Sequence, residues 1–237
     1  MSKRILITGA TSGIGEATAK YLFSLEYRLV LVGRNEEKLA ELKNSMGEAA
    51  EVVAADLCDD SSVKRLFDFC HDNGLMLDGL VHCAGIAGDK PIRLCTIEYL
   101  EKLMHIHYFA FVELCKYFAK KTYSNDNASI VAVSSVANLV CTKASAAYAC
   151  AKSAIDTAVT VMSKEFIKRG IRVNTVKPAM VDTPLAEPSK EIYDIFDYQP
   201  FGYIPPEHIA YMIEYLLSDK AKYITDAHIP ISGGMEL

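Results

Sequence analysis

Short apolar runs alternate with segments of helical spacing along this chain. Runs of this length, bounded by turn or polar residues, predict β-strands, and the segments between them predict helices. Such a regular alternation of strand and helix predicts an α/β fold built on a parallel sheet. The apolar runs begin near Ile5, Leu29, Val52, Leu80, Ile130 and Ile171.

The predicted strands indicate that helices cover both faces of the sheet. Residues 29–32 and 130–133 are apolar at every position, as expected for parallel strands buried on both sides. Right-handed crossovers then imply a doubly wound (Rossmann) parallel sheet of about seven strands, with a ligand crevice at the carboxyl ends of the strands. One buried stripe of the first helix is predicted at i, i+3, i+4 spacing by Ile14, Ala17, Thr18, Tyr21, Leu22 and Leu25.

The chain length favours a single domain. The 237 residues contain neither an internal repeat nor a Pro/Gly/Ser-rich linker, and α/β folds of this size form one unit. We therefore expect one domain over residues 1–237. The irregular stretch 184–206, rich in proline and aromatic residues, is predicted to be its substrate loop.

Charge and composition exclude several classes of protein. The net charge of −5 gives no general attraction for nucleic acid or for an anionic membrane. The apolar runs are too short to span a bilayer, and the start of the chain lacks a signal-peptide pattern, so a cytoplasmic location is the default expectation. The 7 cysteines are odd in number and lack a C-x-x-C pair, which predicts reduced, mostly buried thiols and no metal site.

A glycine-rich turn follows the first predicted strand and leads directly into the first helix. Glycines at such a turn permit close approach of a pyrophosphate, and the helix N-terminus supplies N–H groups to it. A structural turn without a ligand is the alternative, because a glycine cluster by itself is weak evidence. The candidate cofactor-binding residues of this turn are Gly9, Thr11, Ser12, Gly13, Ile14 and Gly15.

The end of the second strand favours NADP(H) over NAD(H). Dinucleotide folds usually place an acidic residue here for the ribose 2′-hydroxyl, but the chain has Gly33 followed by Arg34 and Asn35, and a cation suits a 2′-phosphate. Alternatively, Arg34 is a solvated surface charge and Asn35 the N-cap of the next helix. After the third strand, Asp56 precedes Leu57 and either accepts from the adenine amino group or caps a turn.

Three residues fit proton transfer to a carbonyl oxygen. Tyr148 and Lys152 are four apart in a predicted helix and share one face, and Ser135 stands at the end of the fifth strand. A cation at about 4 Å is worth about 4 kcal/mol at an effective dielectric of about 20, enough to lower a phenol pKa by roughly three units. Tyr148 would then exchange a proton with the substrate oxygen while Ser135 holds that oxygen.

At these residues the sequence resembles the compact, single-domain branch of the short-chain dehydrogenase/reductase family, over essentially the whole chain. The family's T-G-x-x-x-G-x-G turn matches residues 8–15, and its Y-x-x-x-K matches Tyr148 and Lys152. Its serine, thirteen residues before the tyrosine, matches Ser135. Residues 172–179 and 229–234 are similar to the family's Pro-Gly stretch and its Gly-Gly close.

The resemblance implies an oxidoreductase that moves a hydride between NADP(H) and a carbonyl or alcohol. Tyr148 is then the acid–base, Lys152 lowers its pKa and binds the nicotinamide ribose, and Ser135 orients the substrate. An arginine at the position of Arg34 implies NADP, although Ser12 stands where a second basic residue is often found. The further cofactor contacts implied by the family are Cys83, Ala84 and Gly85 after the fourth strand, and Pro178, Val181 and Thr183 near the nicotinamide.

Two departures from the family pattern concern the site. His82 and Cys83 replace two asparagines, so backbone contacts to the cofactor can survive whereas an asparagine-based anchor of the sheet cannot. His107 replaces the family's catalytic asparagine, which holds a water that relays protons to the lysine. We therefore include His107 among the candidate catalytic residues, as a water-holding side chain that titrates near neutral pH; a satisfied helix histidine is the alternative.

A second class of function remains open: a nucleotide-binding regulatory protein of the same fold with little turnover. A sugar-nucleotide epimerase is disfavoured by the glycine spacing and by the short chain. The expected partner is a small carbonyl or alcohol substrate, and the acidic loop disfavours a highly anionic one. Substrate contacts are expected from Ile192, Tyr193, Ile195, Phe196, Tyr198, Phe201 and Tyr203, unless most of these aromatics pack the loop onto the body, and from Asn138, Val140 and Lys143.

We also expect a homotetramer. Residues 96–121 carry apolar side chains on more than one helix face, and one face suffices to cover the sheet. Pairing of like helices in two interfaces would close a symmetric set of four, as in the family. The alternative is that loops of the same subunit cover the extra apolar surface.

Overall fold

A computed structural model, which describes residues 2–59, 61–187 and 194–237, contains one sheet of seven parallel strands. The order across the sheet is β3-β2-β1-β4-β5-β6-β7, which confirms the predicted doubly wound arrangement. The strands are β1 (Arg4–Thr8), β2 (Arg28–Gly33), β3 (Ala50–Ala54), β4 (Leu77–His82), β5 (Ser124–Val133), β6 (Arg172–Pro178) and β7 (His228–Ile231).

Helices connect the strands and cover both faces of the sheet. A π-helical turn at His105–Phe109 joins the fourth helix to the fifth. The helices are α1 (Gly13–Ser24), α2 (Glu36–Met46), α3 (Ser62–Asp72), α4 (Ile97–Met104), α5 (Ala110–Phe118), α6 (Ala137–Val140), α7 (Ala146–Glu165) and α8 (Pro206–Leu217).

The two faces of the sheet carry two separate apolar cores. Alternate side chains of β1 enter different cores: Leu6 packs with α3, α5 and α7, whereas Ile5 and Ile7 pack with α1, α2 and α8. All three are fully buried. Because successive side chains of a strand point to opposite faces, a strand covered on both sides has to be apolar throughout.

The strand order reverses between β1 and β4. From β1 the chain first builds outward to β2 and β3, then returns to place β4 on the other side of β1. The connections that leave β1 and β4 therefore diverge to opposite faces, and a crevice opens at the carboxyl ends of the strands. The residues that follow β1, β4, β5 and β6 converge on this crevice.

Two expectations about individual residues are wrong. Leu25 is not part of the buried stripe, because α1 ends at Ser24 and Leu25 lies beyond it with 44% of its surface exposed. The cysteines are free thiols, but only Cys70 and Cys115 are buried, so the expectation of mostly buried thiols does not hold.

The structure describes part of the stretch 184–206, which the sequence predicts to be a substrate loop. Ile192 and Tyr193 lie outside the described residues. Phe196, Tyr198 and Phe201 are exposed, whereas Ile195 is buried. Within the described ranges, no helix combines the length and apolar character needed to cross a membrane. In the same part of the chain, the His, Cys, Asp and Glu side chains form no group of three or more suited to a metal ion.

Candidate active site

The turn between β1 and α1 brings backbone close to the crevice. Gly9 and Gly13 have positive φ angles of 67° and 52°, a region that glycine adopts without strain. A Cβ on Gly9 would lie 2.9 Å from the backbone nitrogen of Ala84, and a Cβ on Gly15 would clash with the carbonyl oxygen of Gly9. The turn therefore requires glycine at these positions and leaves main-chain N–H groups at the start of α1 available to an anion.

The end of β2 has no room for an acidic side chain. A Cβ on Gly33 would lie 2.6 Å from Cγ2 of Thr11, so Thr11 occupies the space that an aspartate would need. Arg34 follows and is exposed. Asn35 caps α2, accepting a hydrogen bond from the Lys38 backbone N–H at 2.9 Å. The cation next to the turn is therefore open to a ligand, while Asn35 has the capping role.

The end of β3 carries a turn-capping carboxylate. Oδ1 of Asp56 accepts a hydrogen bond from the Cys58 backbone N–H at 2.9 Å. Asp56 is exposed, whereas Leu57 is buried with 5% of its surface exposed. Leu57 packs in the core under α3. Asp56 thus caps a turn through Oδ1, which was one of its two expected roles. The hydrogen bond leaves Oδ2 accessible.

The end of β4 is tied to β1 by a histidine. His82 Nδ1 and Thr8 Oγ1 are 3.0 Å apart, and the Ala84 backbone N–H donates to the same Thr8 oxygen at 3.3 Å. His82 therefore provides a side-chain anchor between two neighbouring strands where the family pattern has asparagine. No local pattern predicts this contact, because it joins residues 74 positions apart.

Ser135, Tyr148 and Lys152 meet at the carboxyl ends of β5 and β6. Tyr148 and Lys152 both lie on α7, with Lys152 Nζ 5.4 Å from the centre of the Tyr148 ring. Lys152 is buried, and its ammonium donates to the carbonyl oxygen of Val133 at 2.9 Å. Ser135 hydrogen-bonds to Tyr148, and its Oγ lies 3.4 Å from the carbonyl oxygen of Pro178. The three side chains thus share one small volume.

The pKa of Tyr148 differs from the expectation. Burial raises the pKa of Tyr148 to about 12, against the lowering effect of the Ser135 hydrogen bond. The ammonium that should lower it is itself buried, which lowers the pKa of Lys152 to about 8 although Cys83 and Asp156 act in the opposite direction. The expected three-unit lowering of the Tyr148 pKa is therefore wrong for this structure, because the cost of burying a phenolate dominates.

His107 is a neutral, buried side chain beside Tyr148. It lies on the π-helical turn with 1% of its surface exposed, Nε2 is 3.0 Å from the carbonyl oxygen of Ile86, and the ring meets Tyr148 edge-on at 5.4 Å. Burial, then the charge of Lys152, lowers its pKa to about 2, so the expectation of titration near neutral pH is wrong. Among the described residues Nδ1 of His107 has no hydrogen-bond partner, which leaves one nitrogen for a water.

A cavity of 280 Å³ lies between these groups and residues 185 and 186 of the predicted substrate loop. Of the predicted site residues, it is lined by Ile14, Cys83, Gly85, His107, Ser135, Tyr148, Lys152, Pro178, Val181 and Thr183. The cavity lining does not include the predicted site residues Gly9, Thr11, Ser12, Gly13, Gly15, Arg34, Asn35, Asp56, Leu57 and Ala84. A cavity at the carboxyl ends of the strands lies where a doubly wound sheet places its ligand.

The residues expected to touch substrate after Ser135 divide into two groups. Val140 lines the cavity, whereas Lys143 is exposed outside it. Asn138 points the other way and donates to Oδ2 of Asp156 at 2.6 Å. Asp156 also forms an ion pair with Lys177 at 2.8 Å, in which both side chains are nearly buried. Asn138 therefore links α6 to α7 and lies outside the cavity lining.

Several lining residues escaped the sequence reasoning. They come from the loop after β4, from the stretch after β6 and from the chain end, and include Asp89, Met180 and Met235. Asp89 had a usable signal, because it follows a strand whose carboxyl end faces the crevice. For Met235 no local pattern exists, since only the folded chain brings the C-terminus to this cavity.

Comparisons with known proteins agree on one family. The profile of the family described as enoyl-(acyl carrier protein) reductase matches residues 9–236. A 3-oxoacyl-[acyl-carrier-protein] reductase of Rickettsia conorii is 31% identical over 98% of this chain and 96% of its own length. A cis-4-hydroxycyclohexanecarboxylate dehydrogenase of Sinomonas cyclohexanicum is also 31% identical, over 97% of this chain and 94% of its own length.

A solved structure resembles the fold over nearly its whole length. The crystal structure of a short-chain dehydrogenase/reductase from Brucella melitensis, described as a glucose/ribitol dehydrogenase, has a TM-score of 0.93 and 25% identity. The likeness covers 99% of this chain and 97% of that one. The matched length leaves no large part of the chain outside the common fold.

Proposed function

The chain belongs to the short-chain dehydrogenase/reductase family of oxidoreductases, which use NAD(P) cofactors, and on that premise we propose that it transfers a hydride between NADP(H) and a carbonyl or alcohol substrate. In this proposal Tyr148 is the acid–base, Lys152 supports it, and Ser135 orients the substrate oxygen. The observation that carries the proposal is the meeting of these three side chains in one cavity at the carboxyl end of the sheet.

The residues present fit a dinucleotide. The glycine turn offers a cradle that a Cβ would fill at Gly9 or Gly15, and the start of α1 favours the negative charge of a pyrophosphate. At the nicotinamide end, Thr183 lies against this turn, since a Cβ on Gly13 would be 3.1 Å from Thr183 Cγ2. The nicotinamide, when bound, supplies or accepts the hydride.

Arg34 supports NADP(H) as the cofactor. It is exposed beside the turn, and Thr11 excludes an acidic side chain at Gly33 that would repel a 2′-phosphate. A guanidinium binds phosphate through several N–H donors at once. Asp56, at the end of the neighbouring strand, keeps one carboxylate oxygen for the adenine amino group.

Proton transfer is assigned to the chain's own side chains. Ser135 holds the substrate oxygen, and Tyr148 donates a proton to it during reduction or removes one during oxidation. Lys152, with a pKa of about 8, is a cation over most of the neutral range and stabilises the phenolate that forms. His107 contributes as a neutral ring beside Tyr148. The Nδ1 atom of His107 can hold a water for proton exchange.

A screen of NADPH oxidation against ketones, oxoacyl thioesters and sugars tests the proposal. We expect turnover with at least one class, followed at the nicotinamide absorbance. The matched control is Tyr148→Phe, which keeps the ring packing and loses only the hydroxyl; its turnover should fall at least about a hundredfold, as for loss of a general acid–base, with NADPH binding largely intact. A comparable rate in this variant would show that another group carries the proton.

The rival function, a nucleotide-binding regulatory protein, predicts the opposite pattern in the same screen. It would bind NADPH without turnover of any carbonyl class, and Tyr148→Phe would change nothing measurable. His82 and His107, which depart from the family's asparagines, motivate this rival, whereas the intact group of Ser135, Tyr148 and Lys152 favours the enzyme. We further propose a cytoplasmic location and a homotetrameric assembly.

A further inference from the structure

The loop after β4 carries a carboxylate, Asp89, into the lining of the candidate active-site cavity. Backbone contacts on both sides fix this loop. A Cβ on Gly88 would lie 3.1 Å from Cβ of Tyr148 and 2.9 Å from the Leu103 side chain, so the chain passes directly over Tyr148. On the other side, the Lys90 backbone N–H donates to the carbonyl oxygen of Ala144 at 2.8 Å. The position of Asp89 relative to Tyr148 is therefore set by the fold.

No cation neutralises Asp89 within the described part of the chain, where it forms neither an ion pair nor a hydrogen bond. The neighbouring Lys90 ammonium lies over the Tyr99 ring, 4.1 Å from its centre. The Lys152 ammonium donates to the Val133 carbonyl oxygen at 2.9 Å.

The negative charge of Asp89 reaches the reacting group. Partial burial raises the pKa of Asp89 itself. After the larger effect of burial, the charge of Asp89 contributes to the raised pKa of Tyr148. A carboxylate that acts on the Tyr148 hydroxyl acts equally on any charge that a substrate brings to the same place.

The rest of the lining is mostly apolar. Among the described lining residues, Asp89 is the only carboxylate, and Lys152 is the only lysine or arginine. Apolar lining side chains include Val136, Val140, Met180, Leu185, Ala186 and Met235. An anionic substrate group placed here would lose its hydration and face an uncompensated like charge.

We propose that Asp89 is a specificity-determining residue that rejects substrates with a carboxylate near the reacting carbon, so that the cavity takes uncharged, largely apolar carbonyl compounds such as oxoacyl esters and thioesters. This inference rests on the proposed function and names its substrate class. The relatives do not decide the matter, because one is named for an acyl thioester and another for a free carboxylate.

A matched pair of substrates tests the proposal. Acetoacetate and methyl acetoacetate share the reacting ketone and differ in one charge, and kcat/KM for each is measured with NADPH. The parent protein should prefer the ester. Asp89→Asn, which keeps the size and removes the charge, should raise kcat/KM for acetoacetate relative to the ester by about tenfold, because it removes the repulsion between two like charges. Asp89→Glu should keep the preference.

Two controls separate charge from packing. Glu101→Gln removes an exposed acid of α4 that does not line the cavity, and should leave the ester-to-acid ratio unchanged. Asp89→Asn should also move the pH profile of ester reduction to lower pH, because it removes one cause of the raised Tyr148 pKa. The other groups that face Tyr148, namely Ser135, Lys152 and His107, stay the same in this comparison.

An unchanged ratio of ester to acid in Asp89→Asn would overturn the inference. If the parent reduces neither compound, the proposed function fails for these oxoacyl substrates. The inference is then tested by calorimetry, which measures binding of 3-hydroxybutyrate and of its methyl ester in the presence of NADP⁺. Tighter binding of the acid relative to the ester in Asp89→Asn would still support the inference. An unchanged ratio, or no binding of either compound, would overturn it.

Discussion

Two uncharged histidines lie buried beneath the candidate active site, and they make the protein sensitive to acid. His82 and His107 are each 1% exposed, and burial together with the charge of Lys152 lowers their pKa values to about 3 and about 2. Below pH 6.5 the unfolded chain binds a proton at each histidine, whereas the folded chain does not. The stabilisation is therefore fully present above the unfolded pKa and is lost as the pH falls toward the folded values.

The size of the effect follows from proton linkage. Each pH unit below the unfolded pKa costs about 1.4 kcal/mol per histidine that stays neutral in the folded state. Between pH 7 and pH 5, each histidine should lower the free energy of unfolding by about 2 kcal/mol, and the two together by about 4 kcal/mol. This is a large share of the roughly 5–15 kcal/mol that stabilises an ordinary protein.

Urea denaturation at pH 7, 6 and 5 measures this loss. The variants His82→Asn and His107→Asn, alone and combined, remove the titrating groups, and the quantity compared is the change in unfolding free energy between pH 7 and pH 5. We expect the double variant to lose about 4 kcal/mol less than the parent over this range. The carboxylates contribute equally to this pH-dependent change in every variant, so their contributions cancel when the variants are compared. His71→Asn, at an exposed position of α3, should behave like the parent.

An equal acid loss in the parent and in the double variant would refute the reasoning. It would mean that the folded protein accommodates protons on these histidines, through water or a rearrangement of the π-helical turn. An effect confined to one of the two single variants would assign the buried neutral state to that histidine alone.

Three further predictions follow from other parts of the structure. Arg34→Asp should reverse a preference for NADPH over NADH, measured as the ratio of dissociation constants, and equal affinities of the parent for both cofactors would contradict the assignment. Lys177→Met should lower the free energy of unfolding by about 3 kcal/mol because it removes the lysine that pairs with the nearly buried Asp156 carboxylate, whereas Lys64→Met, in an exposed pair, should cost under about 1 kcal/mol. Sedimentation should give the mass of four chains, since Phe109 stays 48% exposed on the π-helical turn; a mass near 26.1 kDa would exclude any assembly, and a stable dimer would mean that only one interface is used.

The sequence by itself determined the features that depend on neighbours along the chain. Apolar runs such as 29–32 predicted strands covered on both faces, since alternate side chains have to enter different cores. The glycine turn could be recognised because Gly9 and Gly13 need positive φ angles, which is a local property. The four-residue spacing of Tyr148 and Lys152 placed them on one face of α7, because helix geometry fixes that relation wherever the helix lies.

Only the tertiary structure decided what surrounds these groups. The pKa of Tyr148 rises because distant elements bury its ring, and that effect exceeds the lowering effect of Ser135. Asn138 follows the serine in sequence yet turns to Asp156 on another helix, and Asp89 enters the cavity because Gly88 packs on Tyr148. Burial and the direction of a side chain depend on contacts between residues far apart in the chain, and no periodicity or spacing within a segment contains that information.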